Sequence, residues 1–350
     1  MWSRLLTVLL ALGLLAAPAA ASSSRPGPAG TTRHGVYPAA GAPGARHFDL
    51  YIPGSVLAHP QRPVPLVVYL HGCEQTAADA AVGTRFNALA ERAGFLVLYP
   101  EQLRPALGSA PVVDGNGAGC WNWFLPEHQS RDAGEPATLA GMTRWVMAHL
   151  RVDPTRVFLT GVSAGADMTT ILGAAYPDLY VAIAPIAGCA YRTCTDADGS
   201  AAFAAMGPRA RVVPAFVVQA STDMLNNAAM GATAVSQWVR TDTLVDPSVN
   251  PVPSRVTTAD LDPSVLSGAP GDPCVGNFRF PCVGGAGLRT YPTTTLRYDD
   301  GRGHEVVRVL LIHGANHAYT HGDPRGTFVD PIGPDLTSLV YDFFRAHRRS

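Results

Sequence analysis

The sequence contains no lysine: all 26 of its basic residues are arginine. Chemistry that needs an amine side chain, Schiff-base and pyridoxal-type catalysis above all, is excluded on that ground. Charge of either sign is scarce, at 15% of residues against roughly 25% in ordinary soluble domains, and it nearly cancels to a formal net charge of −1. A concentrated basic face is therefore missing, and nucleic acid is excluded as a partner. No CxxC pair occurs among the six cysteines, which argues against a structural metal. There is no internal repeat and no low-complexity tail. The apolar run from Leu5 to Ala17 falls short of the roughly 20 residues that a bilayer span requires.

That run follows a single Arg4 and ends in small residues, Ala19-Ala20-Ala21 before Ser22, the order of a secretory signal peptide over residues 1–21. An uncleaved anchor is the other reading. The chain is expected to be secreted, with the periplasm as the alternative, and without stable membrane insertion. Six cysteines in an exported chain point to disulfides. Cys189 is close to Cys194 and Cys274 to Cys282, which leaves Cys73 with Cys120, although spacing alone does not fix the connectivity. Residues 22–44, rich in Gly, Pro, Ser and Ala, read as a flexible lead-in, and 45–350 as one domain with 47% hydrophobic residues in the whole chain to supply its core.

Within that domain, β-like runs alternate with helix-like ones. RHFDLYI, VPLVVYL, FLVLYP, VFLT, LYVAIAPIAG, VVPAFVVQA and EVVRVLLIHG read as strands. Helices are expected around Arg85–Ala93, over ATLAGMTRWVMAHL, after Ser163, and over DLTSLVYDFFRAH. Continuous apolar strands separated by helices imply an α/β fold, a mostly parallel sheet covered on both faces. Between about Thr241 and Gly303 the alternation fails, and a Pro/Gly-rich stretch with a cysteine pair suggests an excursion, either a lid over a cleft or a surface loop.

VFLTGVSAGADMTT carries the pattern Gly-x-Ser-x-Gly between a strand and a helix. A nucleophilic serine needs its hydroxyl lifted out of a sharp turn, and Gly161 and Gly165 leave room for one around Ser163. The N–H of Ala164, at the helix start, then faces a developing oxyanion. A serine needs a base, and in this arrangement the partners follow in the order Ser, acid, His. Of His304, His313, His317, His321 and His347, the choice is His317 in the Gly-bounded loop GANHAYTHG, with His321 its rival. Asp223 in FVVQASTDM follows a strand and is the chosen acid, while Asp242, Asp246, Asp260 and Asp262 read as solvated residues of the irregular stretch. The second oxyanion donor is the N–H of Cys73, in the turn after VPLVVYLHG; a plain turn is the alternative.

LHGCEQTAAD, GCWNWF, TGVSAGADMT and GANHAY, in this order, resemble the secreted polyhydroxybutyrate depolymerase family of α/β-hydrolase esterases, which also embraces feruloyl and acetylxylan esterases. The similarity runs from about Ala45 to His347. It implies the same triad of Ser163, Asp223 and His317, the same oxyanion donors at Cys73 and Ala164, and no cofactor. It further implies that Trp121, Trp123 and Phe124 wall the cleft against an acyl chain or aromatic ring, with Tyr319 standing where the family has a tryptophan. The segment VVQASTDMLNN departs from the family, which tends to a His-Gly pair and a valine near the acid.

The expected function is hydrolysis of polyhydroxyalkanoate-type polyesters or their oligomers by a monomeric serine esterase. A feruloyl or acetylxylan esterase acting on plant polysaccharide is the alternative. A binding protein that merely keeps a hydrolase fold is disfavoured, because every role in the triad has a residue in the right order.

Overall fold

The computed structural model describes residues 29–38, 45–105, 115–259 and 290–349. The expected signal peptide, Cys274 with Cys282, Asp260 and Asp262 lie outside the described residues. Ten strands form one sheet: β1 Thr31–Tyr37, β2 Arg46–Ile52, β3 Val64–Leu70, β4 Leu96–Pro100, β5 Val152–Val162, β6 Ala182–Ile186, β7 Ala215–Ala220, β8 Arg255–Ala259, β9 Thr293–Asp299 and β10 Glu305–Ile312. β11 Tyr319–Thr320 and β12 Val329–Asp330 form a small parallel ladder apart from it. The helices are α1 Gly54–Ala58, α2 Ala77–Gly83, α3 Phe86–Ala93, α4 Gly134–His149, α5 Ala164–Ala175, α6 Tyr191–Cys194, α7 Ser200–Met206, α8 Ala228–Val245 and α9 Leu336–Ala346. None of the helices among the described residues is long and apolar enough to cross a membrane.

The strand order is β1-β2-β4-β3-β5-β6-β7-β10-β9-β8. The six central strands from β4 to β10 run parallel, and antiparallel pairs close the sheet at both edges. The expected parallel sheet is thus present. Its two faces bury separate cores, as strand periodicity requires. Along β3, Leu66, Val68 and Leu70 enter the core beneath α4, α5, α7 and α8, whereas Val67 and Tyr69 enter the core beneath α2, α3 and α9.

Three boundaries differ from the sequence reading. The fold begins at β1, not near Ala45: TTRHGVY pairs antiparallel with β2 over its whole length. As an outer strand with mostly exposed or half-buried side chains, it carries little of the hydrophobic signal that marks the central strands. Helix α8 continues to Val245, so the irregular stretch starts later than Thr241. Asp242, read as a solvated turn residue, is fully buried in α8 and accepts the Val213 N–H at 2.9 Å. β8 and β9 flank the excursion and extend the sheet.

Candidate active site

Ser163 lies between the end of β5 and the start of α5 with φ 57° and ψ −127°, a conformation far from both helix and strand. Such a corner costs about 1–3 kcal/mol for a residue with a Cβ and persists only where its surroundings enforce it. They do so here by close backbone approach. A Cβ on Gly165 would lie 2.2 Å from the Leu70 carbonyl oxygen and 2.6 Å from that of His71, and one on Gly161 would meet the Gly165 carbonyl oxygen at 2.5 Å. The first helical turn therefore passes directly over the end of β3. Gly165→Ala is expected to cost on the order of 4 kcal/mol or more, since backbone must move to admit the methyl. A thermal melt matching wild type would show that the corner is looser than these contacts imply.

The same proximity brings the Gly72–Cys73 loop against the serine: Gly72 lies where a Cβ would be 3.3 Å from the Ser163 Cβ. The loop is held from several sides. Gln75 is buried, accepts the Gly72 N–H at 2.9 Å through Oε1, and donates through Nε2 to the Thr327 carbonyl at 2.9 Å. His71 makes a hydrogen bond to the Gly72 carbonyl through Nδ1 at 2.8 Å and accepts the Gln102 N–H through Nε2 at 3.1 Å. These partners fix a neutral imidazole with its proton on Nδ1, and burial lowers its pKa to about 4. Trp121 donates from Nε1 to the His71 carbonyl at 3.0 Å, and the Cys73–Cys120 disulfide ties the loop to the aromatic segment. Gln102 donates to the fully buried Glu135, which also receives the Asn122 N–H at 2.7 Å. With all this bracing, the N–H groups of Cys73 and Ala164 still donate to no protein acceptor among the described residues.

Asp223 and His317 are both buried and meet at 2.8 Å, carboxylate Oδ2 to imidazole Nδ1. The other oxygen, Oδ1, accepts the N–H groups of Leu225 and Asn226, each at 2.9 Å. The loops carrying the pair leave adjacent parallel strands, β7 and β10, and are stitched together by Thr222 and Ser221. Thr222 donates its N–H and its hydroxyl to the Ala315 carbonyl, and the Ser221 hydroxyl accepts the Gly314 N–H at 2.9 Å. Ser163, Asp223 and His317 thus all lie just beyond the same ends of parallel strands. No hydrogen bond joins the Ser163 hydroxyl to His317 among the described residues, although Nε2 is the nitrogen that Asp223 leaves available. Catalytic hydrogen bonds commonly tighten only around bound substrate.

The rival histidines are engaged elsewhere or exposed. His313 bonds Thr294, His347 bonds the carbonyls of Phe343 and Glu305, and His304 lies beside Asp300. His321 is exposed. Of the four aromatics expected along the cleft, two require correction. Trp121 is 0% exposed, and Tyr319 is 2% exposed with its hydroxyl bonded to Thr337, so both belong to the core and offer no surface to a ligand. Trp123 packs partly against the core and edge-on to Phe124, which stays 42% exposed. The Cys189–Cys194 pair forms the second disulfide.

Asp167, four residues beyond Ser163, was not singled out from the sequence. It is buried in the first turn of α5, accepts the Cys189 N–H at 2.8 Å, and burial raises its pKa to about 7. Between the ordinary aspartate value and about 7 the folded protein binds a proton that the unfolded chain has lost, so stability falls as pH rises through this window. The total is about 4 kcal/mol. An uncharged Asp167→Asn variant, still able to accept from Cys189, is expected to melt higher than wild type at pH 8, with the gap closing toward pH 5. His71 acts in the opposite sense: its lowered pKa removes stability as pH falls from the ordinary histidine value toward about 4. A gap that stays constant from pH 5 to pH 8 would mean that Asp167 does not titrate in this window.

A central parallel sheet with helices on both faces and a serine at the strand–helix corner defines an α/β-hydrolase fold. The family model described as esterase PHB depolymerase matches residues 47–251, and the chain belongs to that family. It is 38% identical over 174 residues to poly(3-hydroxyalkanoate) depolymerase C of Paucimonas lemoignei, a match covering 49% of this chain and 38% of that protein. It is 31% identical over 153 residues to acetylxylan esterase A of Talaromyces purpureogenus, covering 43% and 36%. The chain thus spans well under half the length of these curated relatives. Among solved structures, the acetyl xylan esterase from Aspergillus awamori superposes with a TM-score of 0.60 at 18% identity, covering 90% of this chain and 99% of that one. The likeness is one of fold.

Proposed function

We propose that the protein is an exported serine esterase that cleaves polyhydroxyalkanoate-type polyesters or their oligomers. One observation carries the chemistry: Ser163 is held at a strained corner at the strand ends where the Asp223–His317 pair and two unengaged N–H groups also lie. In this reading the Ser163 hydroxyl attacks the ester carbonyl while His317 Nε2 takes its proton, and Asp223 stabilises the resulting imidazolium. The N–H groups of Cys73 and Ala164 receive the oxyanion. The alcohol leaves with the proton from His317, and water, activated by the same nitrogen, hydrolyses the acyl-enzyme.

The polyester substrate is supported by the 38% identity to a poly(3-hydroxyalkanoate) depolymerase. The acetylxylan esterases, at 30–37% identity, support the second reading of small acyl groups on polysaccharide. Export is supported by two disulfides, which persist in oxidising compartments. Clearing of an amorphous poly(3-hydroxybutyrate) suspension by the purified protein is the deciding test. Clearing is expected; its absence, with acetyl release from xylan, would select the second reading.

A further inference from the structure

The turn beginning at Asp223 presents two large apolar side chains to solvent. Met224 is 62% exposed and Leu225 51%. Their outward setting is imposed from within the site, because the carboxylate that binds His317 also accepts the N–H groups of Leu225 and Asn226. Asn226 is pinned in turn, donating to the Ala187 carbonyl and accepting from Gln219 at its own. The residue before Ala187, Ile186, accepts the Ser163 N–H at 3.0 Å. The apolar turn and the serine are therefore anchored to neighbouring residues at the end of β6. The stretch of chain that carries the turn is nearly free of charge as well. Between Arg211 and Arg240 the only charged residue is Asp223, and it is buried.

We propose that Met224 and Leu225 are the docking surface for the polymer flanking the scissile ester, an assignment that rests on the polyester reading above. Apolar side chains on a rigid turn gain from removing a neutral, methyl-bearing polyester chain from water, while a hydroxyl-rich polysaccharide finds no hydrogen-bonding partner on them. Because the turn and the serine are anchored to consecutive residues at the end of β6, the contact that holds the polymer would also bring an ester toward the site.

The test separates adsorption from turnover. In a Ser163→Ala background, co-sedimentation with amorphous poly(3-hydroxybutyrate) granules is compared with and without Met224→Ser/Leu225→Ser; the pair is expected to weaken partition about tenfold. In the active enzyme, the same pair is expected to reduce clearing of the suspension about tenfold more than hydrolysis of p-nitrophenyl butyrate. Should the double variant fold poorly, Met224→Gln, at the more exposed position, carries the same comparison. Equal adsorption, or equal loss on both substrates, overturns the docking surface alone. A wild-type enzyme that does not clear the granules overturns the polyester reading and this assignment together. If the pair instead dissolves a dimer of the wild type without altering adsorption, the turn is a self-interface and the assignment falls.

Discussion

Ser163→Ala loses on the order of a million-fold in kcat, about 8 kcal/mol of transition-state stabilisation, while its melting temperature stays close to that of wild type. The size follows from removing the atom that would form the acyl bond. The unchanged stability follows because alanine keeps the Cβ and hence the strain of a φ of 57°. Glycine at the same position separates the two quantities. Ser163→Gly is equally inactive yet offsets its greater unfolded-state entropy by relieving the corner, and is expected to melt higher than the alanine variant. Substantial turnover in both variants would place the nucleophile elsewhere.

Asp223→Asn is expected to lower kcat about ten-thousand-fold with KM little changed. The asparagine oxygen can still accept from Leu225 and Asn226, so the turn survives. Its amide nitrogen then faces His317 Nδ1 in place of an acceptor. The imidazole answers by placing its proton on Nε2, the nitrogen that must be bare to take the proton from Ser163. Steady-state kinetics on a soluble ester measures the loss. A loss of only a few fold would mean that His317 is not the base, and would return attention to His321.

Much of this architecture is legible in the residue pattern. Strands such as VPLVVYL are apolar on both faces because both faces are covered, and the glycines of the Ser163 corner mark a crossing of backbones that any Cβ would block. The choice of Ser163, Asp223 and His317 as the candidate triad follows from their order along parallel strands. What escapes the pattern depends on distant partners or on orientation. Gln75 braces the Gly72 loop only because Thr327, 252 residues away, comes back to meet it. Trp121 and Trp123 are two positions apart and equally aromatic, and composition does not tell which of them packs inward. β1 and β8 lie at sheet edges, where one partner strand and much solvent leave only a weak apolar signature.

The pairing of β7 with β10 has a kinetic consequence. Asp223 and His317 are 94 residues apart, and they meet only when β10 docks on the sheet beside β7. The corner around Ser163 depends on contacts of similar range, since β5 pairs with β3 and Gly165 lies against the Leu70 carbonyl. Contacts of such long range close late, after shorter loops have formed. During refolding, recovery of hydrolysis therefore lags the return of helical signal. Recovered hydrolysis in such an experiment would be a stopwatch for the closing of these distant pairings on both sides of the sheet's centre.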